Sequence, residues 1–238
     1  MNGNNANLAS LKSIQGANGN IDEIKLRTTV ESIVRQVVQA ALQPDTRRLV
    51  PIEVSARHLH ITQSDLEKLF GPGSKLTKFR DLNQPREFAA NETVTVVGPK
   101  RRIIENVRIL GPVRPATQIE LSYSDGIHLG IDLPHRISGD IKGSASIILI
   151  GPYGIVQLPE GAIRAMRHIH MSPELAQKWN LEKGQKVSVR THGPMQVTFD
   201  NCVIRTGENL NLSMHVDTDE ANAAGIQAGE IGEIVIEE

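Results

Sequence analysis

The chain has 238 residues, enough for one large or two small domains with a buried core. Lys plus Arg number 26 against 27 Asp plus Glu, and aromatics make up 3%, which excludes the basic footprint and the base-stacking platform of a nucleic-acid binder. The single cysteine, Cys202, excludes an internal disulfide and a cysteine-rich zinc knuckle, so a metal here would need His and carboxylate ligands in a reducing compartment.

Residues 1 to 20 are mostly Asn, Gly, Ala and Ser with spaced Leu8, Leu11 and Ile14, a tail-like composition with no secretion signal. No apolar run reaches the length of a membrane span, and a soluble cytosolic protein is expected. From Ile21 to Leu42 apolar residues recur at helical period until Gln43-Pro44-Asp45, predicting an amphipathic helix. Its apolar stripe suits packing on its own body, on a sister subunit or on another protein.

Beyond Thr46 the pattern becomes β-like: Leu49 to Val54, Thr93 to Val97, Ile103 to Leu110, Gln118 to Leu121, Ser146 to Ile150, Lys186 to Arg190, Gln196 to Phe199 and Ile231 to Ile236. Many short strands separated by Gly and Pro predict a mainly β protein, barrel or sandwich. Helical signals are brief: Thr62 can cap Ser64 to Phe70, and Ser172 with Pro173 can cap Glu174 to Trp179.

One motif stands twice, Arg57-His58-Leu59-His60-Ile61-Thr62 and Arg167-His168-Ile169-His170-Met171-Ser172, each leading from a strand into a helix start. On a strand, residues i and i+2 share a face, so each His-x-His aims two imidazoles at one spot, as ligands of one metal ion would. Two such pairs can build a two-metal centre. The duplication continues at an offset of ninety-five: Gly98-Pro99 and Gly193-Pro194, Asn106-Val107 and Asn201-Cys202, Gly130-Ile131 and Gly225-Ile226. The same offset carries Glu120 onto His215, so equivalent sites hold different but ligand-capable residues. Two related halves are expected to face each other across one site.

A lone His-x-His is more often a pair of hydrogen-bonded strand histidines. Its repetition favours metal, because four retained imidazoles need partners to offset their desolvation. His128, His135 and His192 fall in loop-like, unrepeated contexts and read as solvated or locally bonded. Arg57 and Arg167 should face away from the histidines as structural pairing residues, and Cys202, whose repeat partner is Val107, reads as core. Arg114 enters the strand of Glu120 from a loop and could serve phosphate or simply pair with a carboxylate. Asp217, Asp219 and Glu220 read either as support for the metal ligands or as a turn and helix cap.

Together the two His motifs, Gln84-Pro85-Arg86-Glu87-Phe88-Ala89-Ala90, Thr93 to Lys100, Asn106 to Pro112 and Met214 to Gly225 resemble the PduL-type phosphate acyltransferase (phosphate propanoyltransferase) family, from about Ile52 to Glu238. The resemblance implies acyl transfer between coenzyme A and inorganic phosphate on a dinuclear zinc site between two β-barrels capped by short helices. It implies His58 and His60 on one zinc, Glu120, His168, His170 and His215 on the other, and Arg114 on phosphate. It implies halves at about 46–150 and 151–238, with the strand of the first His-x-His crossing between barrels. Propanoyl-CoA or acetyl-CoA, a homo-oligomer, and work in a bacterial microcompartment, as in propanediol degradation, are further implications. An encapsulation segment would then be sought in residues 1–45, at Leu8 to Ile14 or in the Ile21 to Leu42 helix.

Two departures stand out. Relatives often carry Gln-Pro-Gly-Gln where this chain has Gln84-Pro85-Arg86-Glu87, and Asp125-Gly126-Ile127-His128 lacks an aromatic that some relatives place there. The resemblance implies that both segments lie near coenzyme A. The rival readings are a zinc-dependent thioester hydrolase, which usually needs an added Asp or His directly after the motif where Ile61-Thr62-Gln63 supplies none, and a non-catalytic microcompartment zinc protein.

Overall fold

The computed structural model of the protein describes residues 23–42, 47–227 and 229–236. Its contacts divide it into two units, Met1–Arg47 and Arg48–Glu238. Within the first, α1 (Glu23–Leu42) is the expected amphipathic helix, with Leu26, Val30, Ile33 and Val34 exposed at helical spacing. The Leu8 to Ile14 stretch lies outside the described residues. No helix among the described residues is long and apolar enough to cross a membrane.

The second unit begins with β1 (Leu49–Ser55), β2 (His58–His60), α2 (Gln63–Phe70), β3 (Lys78–Asp81), β4 (Phe88–Val97), β5 (Ile103–Gly111), β6 (Gln118–Glu120), α3 (Tyr123–Leu129), β7 (His135–Arg136), β8 (Ala145–Ile150) and β9 (Ile155–Ala165). It continues through β10 (His168–Met171), α4 (Pro173–Trp179), β11 (Lys186–Arg190), β12 (Thr198–Thr206), β13 (Ser213–Asp217), α5 (Thr218–Ala224) and β14 (Ile231–Val235). These strands form two closed six-stranded barrels. One runs β4-β5-β2-β6-β9-β8 and back to β4, with β3 and β7 added outside; the other runs β1-β13-β10-β12-β11-β14.

The internal repeat is visible rung by rung. His58 lies opposite Glu120 and beside Arg108, while His168 lies opposite His215 and beside Val203. The retained polar residues have backbone reasons. Asn106 and Asn201 take φ of 57° and 58°, a left-handed turn of the chain that Asn tolerates best among residues with a side chain. Gly130 and Gly225 end α3 and α5 at φ of 77° and 64°, where their N–H groups close the last turns.

Neither barrel is made from one half of the chain. β1 pairs with β13 and β14, and its Val50 and Ile52 are wholly buried in the second core, which stabilises that barrel by roughly 1.5–3 kcal/mol per side chain. Reciprocally, β9 pairs with β6 and β8 and sends Val156, Leu158 and Ala162 into the first core. The crossing strand is therefore the one before the first His-x-His, since β2 itself pairs with β5 and β6 of the first barrel.

Three further differences from expectation have local causes. β9 was not anticipated, because Pro159 and Gly161 interrupt its alternation. α3 was hidden by Gly126, which is required because a Cβ there would come within 2.9 Å of the Leu133 side chain. α5 is an Ala-rich helix of about two turns with no apolar stripe, held by a capping box in which Asp217 and Glu220 exchange hydrogen bonds with each other's backbone.

Candidate functional site

Each His-x-His is held by the short strand it occupies and by the helix that follows. Thr62 accepts from the Asp65 N–H at 3.1 Å to start α2, and Ser172 accepts from the Leu175 N–H at 3.2 Å to start α4. The preceding arginines lock the opposite side. Arg57 pairs with Asp125 at 2.9 Å and Arg167 with Glu220 at 3.0 Å, each acid being the capping-box residue of the helix after β6 or β13. They are the structural pairs that strand alternation foretold.

In the first barrel His58, His60 and Glu120 bring one ligand atom each to within 4.8 Å of one another; in the second, His168, His170 and His215 do the same. The Glu120 carboxylate lies 3.5 Å from His58 Nε2, so these distances group it with the first pair rather than with the three histidines the resemblance assigned it to. It also lines a small void with His168 and His215, which puts it on the seam between the trios. Gln118 donates to Glu120 Oε1 at 2.7 Å, and at the matching position Ser213 Oγ lies 3.0 Å from His215 Nε2.

The ring nitrogens suit a metal. His58 Nδ1 and His168 Nδ1 each lie 2.8 Å from a backbone carbonyl, of Ala56 and Met166, so each carries a proton at Nδ1 and has Nε2 as its one nitrogen available to a metal. His60 Nδ1 and His170 Nδ1 are buried with no hydrogen-bond partner among the described residues, a cost of about 1–3 kcal/mol each unless something is bound there. Burial, reinforced by His58 and Arg114, pushes His60 down to about 3. Burial with His168 and His215 pushes His170 to about 2, and burial with His168 pushes His215 to about 3. His168 is lowered too, again chiefly by burial. Burial alone would raise Glu120, but its imidazole neighbours, His58 foremost, and the hydrogen bond with the Ser138 hydroxyl outweigh it and lower the carboxyl below its ordinary value. Neutral imidazoles with one carboxylate and no thiolate fit zinc or another first-row divalent ion.

All six residues and Arg114 line one cleft of about 670 Å³. Arg114 is anchored by its N–H to the Ile61 carbonyl at 2.8 Å, and its guanidinium pairs with Glu87 at 2.7 Å. The segment Gln84 to Glu87 thus edges the site: Gln84 donates to Ser213 Oγ at 2.9 Å, and Glu87 holds Arg114. Arg86 stands at φ 69°, a conformation that glycine adopts without strain and a side chain rarely does.

Two lining residues escaped sequence reasoning. Glu53 of β1 lies opposite His215 with its carboxylate 3.8 Å from Nε2, and it accepts a hydrogen bond from Asn83; burial raises it. Arg205 of β12 sits beside His170. Extending the repeat would have found both: Glu53 stands where Ile163 does relative to the motif, and Arg205 where Leu110 does. His128, His135 and His192 are exposed and outside both trios. Cys202 is buried, its thiol pushed up to about 12 mainly by burial, as befits core.

The comparisons with known proteins agree with this architecture. The family model for phosphate propanoyltransferase matches residues 51–227. A phosphate propanoyltransferase of Lachnoclostridium phytofermentans is 51% identical over 202 residues, covering 85% of this chain and 94% of the relative. Those of Priestia megaterium and Thermotoga maritima are 47% and 48% identical, covering 87% and 77% of this chain and 95% and 88% of theirs. With two ligand trios in one cleft and matches that run across both barrels, the chain belongs to the phosphate propanoyltransferase family.

Proposed function

We propose that the protein interconverts acyl-CoA plus phosphate with acyl phosphate plus CoA at a dinuclear zinc site, with propanoyl or acetyl as the acyl group. Family membership supports the acyltransferase activity. The observation that carries the finer reading is the convergence of both ligand trios and Arg114 on a single cleft. His58, His60 and Glu120 would hold one ion and His168, His170 and His215 the other, with Glu120 near enough to the seam to serve both. Ions held there would polarise the thioester carbonyl and the phosphate oxygens and neutralise the charge that builds during transfer.

The chain's own groups supply the rest. Arg114 presents a planar fork to the phosphate, exchanging its present partner Glu87 for the anion. The Ala56 and Met166 carbonyls hold His58 and His168 in the tautomer that points Nε2 into the cleft. The cleft walls orient thioester and phosphate against each other, which removes much of the entropic part of the barrel-enclosed reaction's barrier. With Cys202 buried and its thiol protonated, direct attack by phosphate is favoured over a cysteine-bound intermediate.

Metal analysis combined with a CoA-release assay titrated with phosphate across acyl lengths tests this. Two metal ions per chain and CoA release that requires phosphate are expected. Release that ignores phosphate would make the protein a thioester hydrolase, and a metal-loaded protein inert toward every acyl-CoA would leave a structural zinc protein. Encapsulation in a microcompartment rests on α1 and the residues before it: deleting residues 1–45 should release a reporter-tagged protein from shells, and retention after deletion would refute that role.

A further inference from the structure

We propose that Arg205 is a second phosphate-binding guanidinium, gripping the anion from the second barrel while Arg114 grips it from the first. The inference rests on the phosphate acyltransferase reading above and adds to it a residue that the motifs did not single out.

Arg205 lies on β12 beside His170, half-buried, and lines the same cleft as both trios. Of the other arginines near the site, Arg57 pairs with Asp125, Arg114 with Glu87, Arg167 with Glu220 and Arg108 with the Ala90 carbonyl, while Arg80, which also lines the cleft, is solvent-exposed and so lacks the desolvation that Arg205 carries. Among the described residues the Arg205 guanidinium makes no hydrogen bond or ion pair. Burial chiefly lowers its pKa, against the attraction of Glu120 and, more weakly, of Glu87, and with the repulsion of Arg114. Desolvating a cation beside a site built for cations is unfavourable unless an anion completes it.

The repeat sharpens the point. The position equivalent to Arg205 in the first barrel is Leu110, which also lines the cleft. A strand that needed only to close a barrel is served by leucine there, so the charge at Arg205 answers a demand of the cleft rather than of the fold. A guanidinium matches a phosphate through two parallel N–H···O bonds, and two such forks from opposite barrels fix its rotation as well as its place.

In the transfer, one oxygen of hydrogen phosphate forms a bond to the thioester carbonyl carbon, and the C=O π pair moves onto the carbonyl oxygen. That pair then returns, the C–S bond breaks with its electrons on sulfur, and the proton of hydrogen phosphate ends on the sulfur as CoA thiol. Arg205 and Arg114 hold the oxygens that do not attack, leaving the remaining one aimed at carbon.

The test compares full-length, metal-loaded wild type with R205A and R205K. R205A should raise the KM for phosphate by about 10–100-fold, the loss of a charge-assisted contact, while the KM for acyl-CoA stays within about twofold and metal content stays at the wild-type value. R205K should recover part of the loss. Calorimetric titration of inorganic phosphate into metal-loaded wild type and R205A should show the same weakening without turnover. An unchanged phosphate KM, a rise confined to acyl-CoA, or loss of metal or of thermal stability in both variants would overturn the assignment. If wild type itself releases CoA without phosphate, the functional reading fails first; if wild type depends on phosphate and R205A does not weaken it, only the role of Arg205 fails.

Discussion

At matched rungs the first barrel carries Glu120, Ile163, Gln118 and Leu110 where the second carries His215, Glu53, Ser213 and Arg205. Both keep the His-x-His, the arginine that pins a capping acid, the left-handed Asn and the glycine that ends the small helix. What the two share is what a six-stranded barrel with a two-imidazole prong needs. What separates them is charge. The first trio includes the Glu120 carboxylate, whereas in the second the Glu53 carboxylate lies 3.8 Å from His215 Nε2 and Arg205 adds a positive charge on the same side. The two sides of the cleft thus differ chiefly by the positive charge of Arg205, which on the proposed reading makes the second side the better seat for an anion.

Substituting a ligand on each side breaks the comparison most severely. His58→Ala and His168→Ala should each remove about one metal ion per chain by elemental analysis, and CoA release should fall by about a thousandfold or more in both. A variant that kept both ions and its rate would show that its imidazole is no ligand. Acidity comes next in size. In the metal-free protein His60, His170 and His215 are held at about 3, about 2 and about 3, below the 6.5 of an unfolded histidine. As pH falls from 6.5 toward those values the unfolded chain takes up protons that the folded chain refuses, so stability declines by up to about 1.4 kcal/mol per pH unit per ring. Above 6.5 this contribution is whole. Denaturant unfolding of chelated protein at pH 5, 6 and 7.5 reads it, and a flat profile would mean the rings stay accessible to protons.

The arginine latches give a smaller contrast. Arg167 and Glu220 have side chains 26% and 20% exposed, whereas Arg57 is 46% exposed over a buried Asp125. After discounting for solvent, Arg57→Ala should cost about 1 kcal/mol and Arg167→Ala about 1–2 kcal/mol in equilibrium unfolding, and equal losses would argue against exposure as the controlling factor. The smallest effect should come from making the cores alike: Cys202→Val, copying Val107, should change stability by less than about 1.5 kcal/mol and leave the rate of CoA release untouched. A large rate loss there would reopen a thiol-based mechanism.

Much of the site was legible because repetition multiplied a weak signal. His58, His60, His168 and His170 announced themselves twice, and the offset of ninety-five led from Glu120 to His215. The barrels were less legible. Strand pairing between β1 and β13 joins residues far apart in sequence, and no local pattern encodes which barrel a strand will close. β9 was lost to Pro159 and Gly161, and α3 to Gly126, where close approach of Leu133 overrides helix propensity. Glu53 and Arg205 were missed for a different reason: each is an ordinary charged residue on a strand, and only following the repeat past the His-x-His to Ile163 and Leu110 sets it apart.

The exchange of β1 and β9 imposes an order on birth. As the polypeptide leaves the ribosome, β1 emerges before its hydrogen-bonding neighbours β13 and β14, which follow every strand of the first barrel, so it waits unpaired while that barrel assembles around β9. Only once β14 has been translated can the second barrel shut and the three-histidine trio take shape. Severing the gene at its internal repeat would yield two fragments, each with a gap in its wall that only the other can fill.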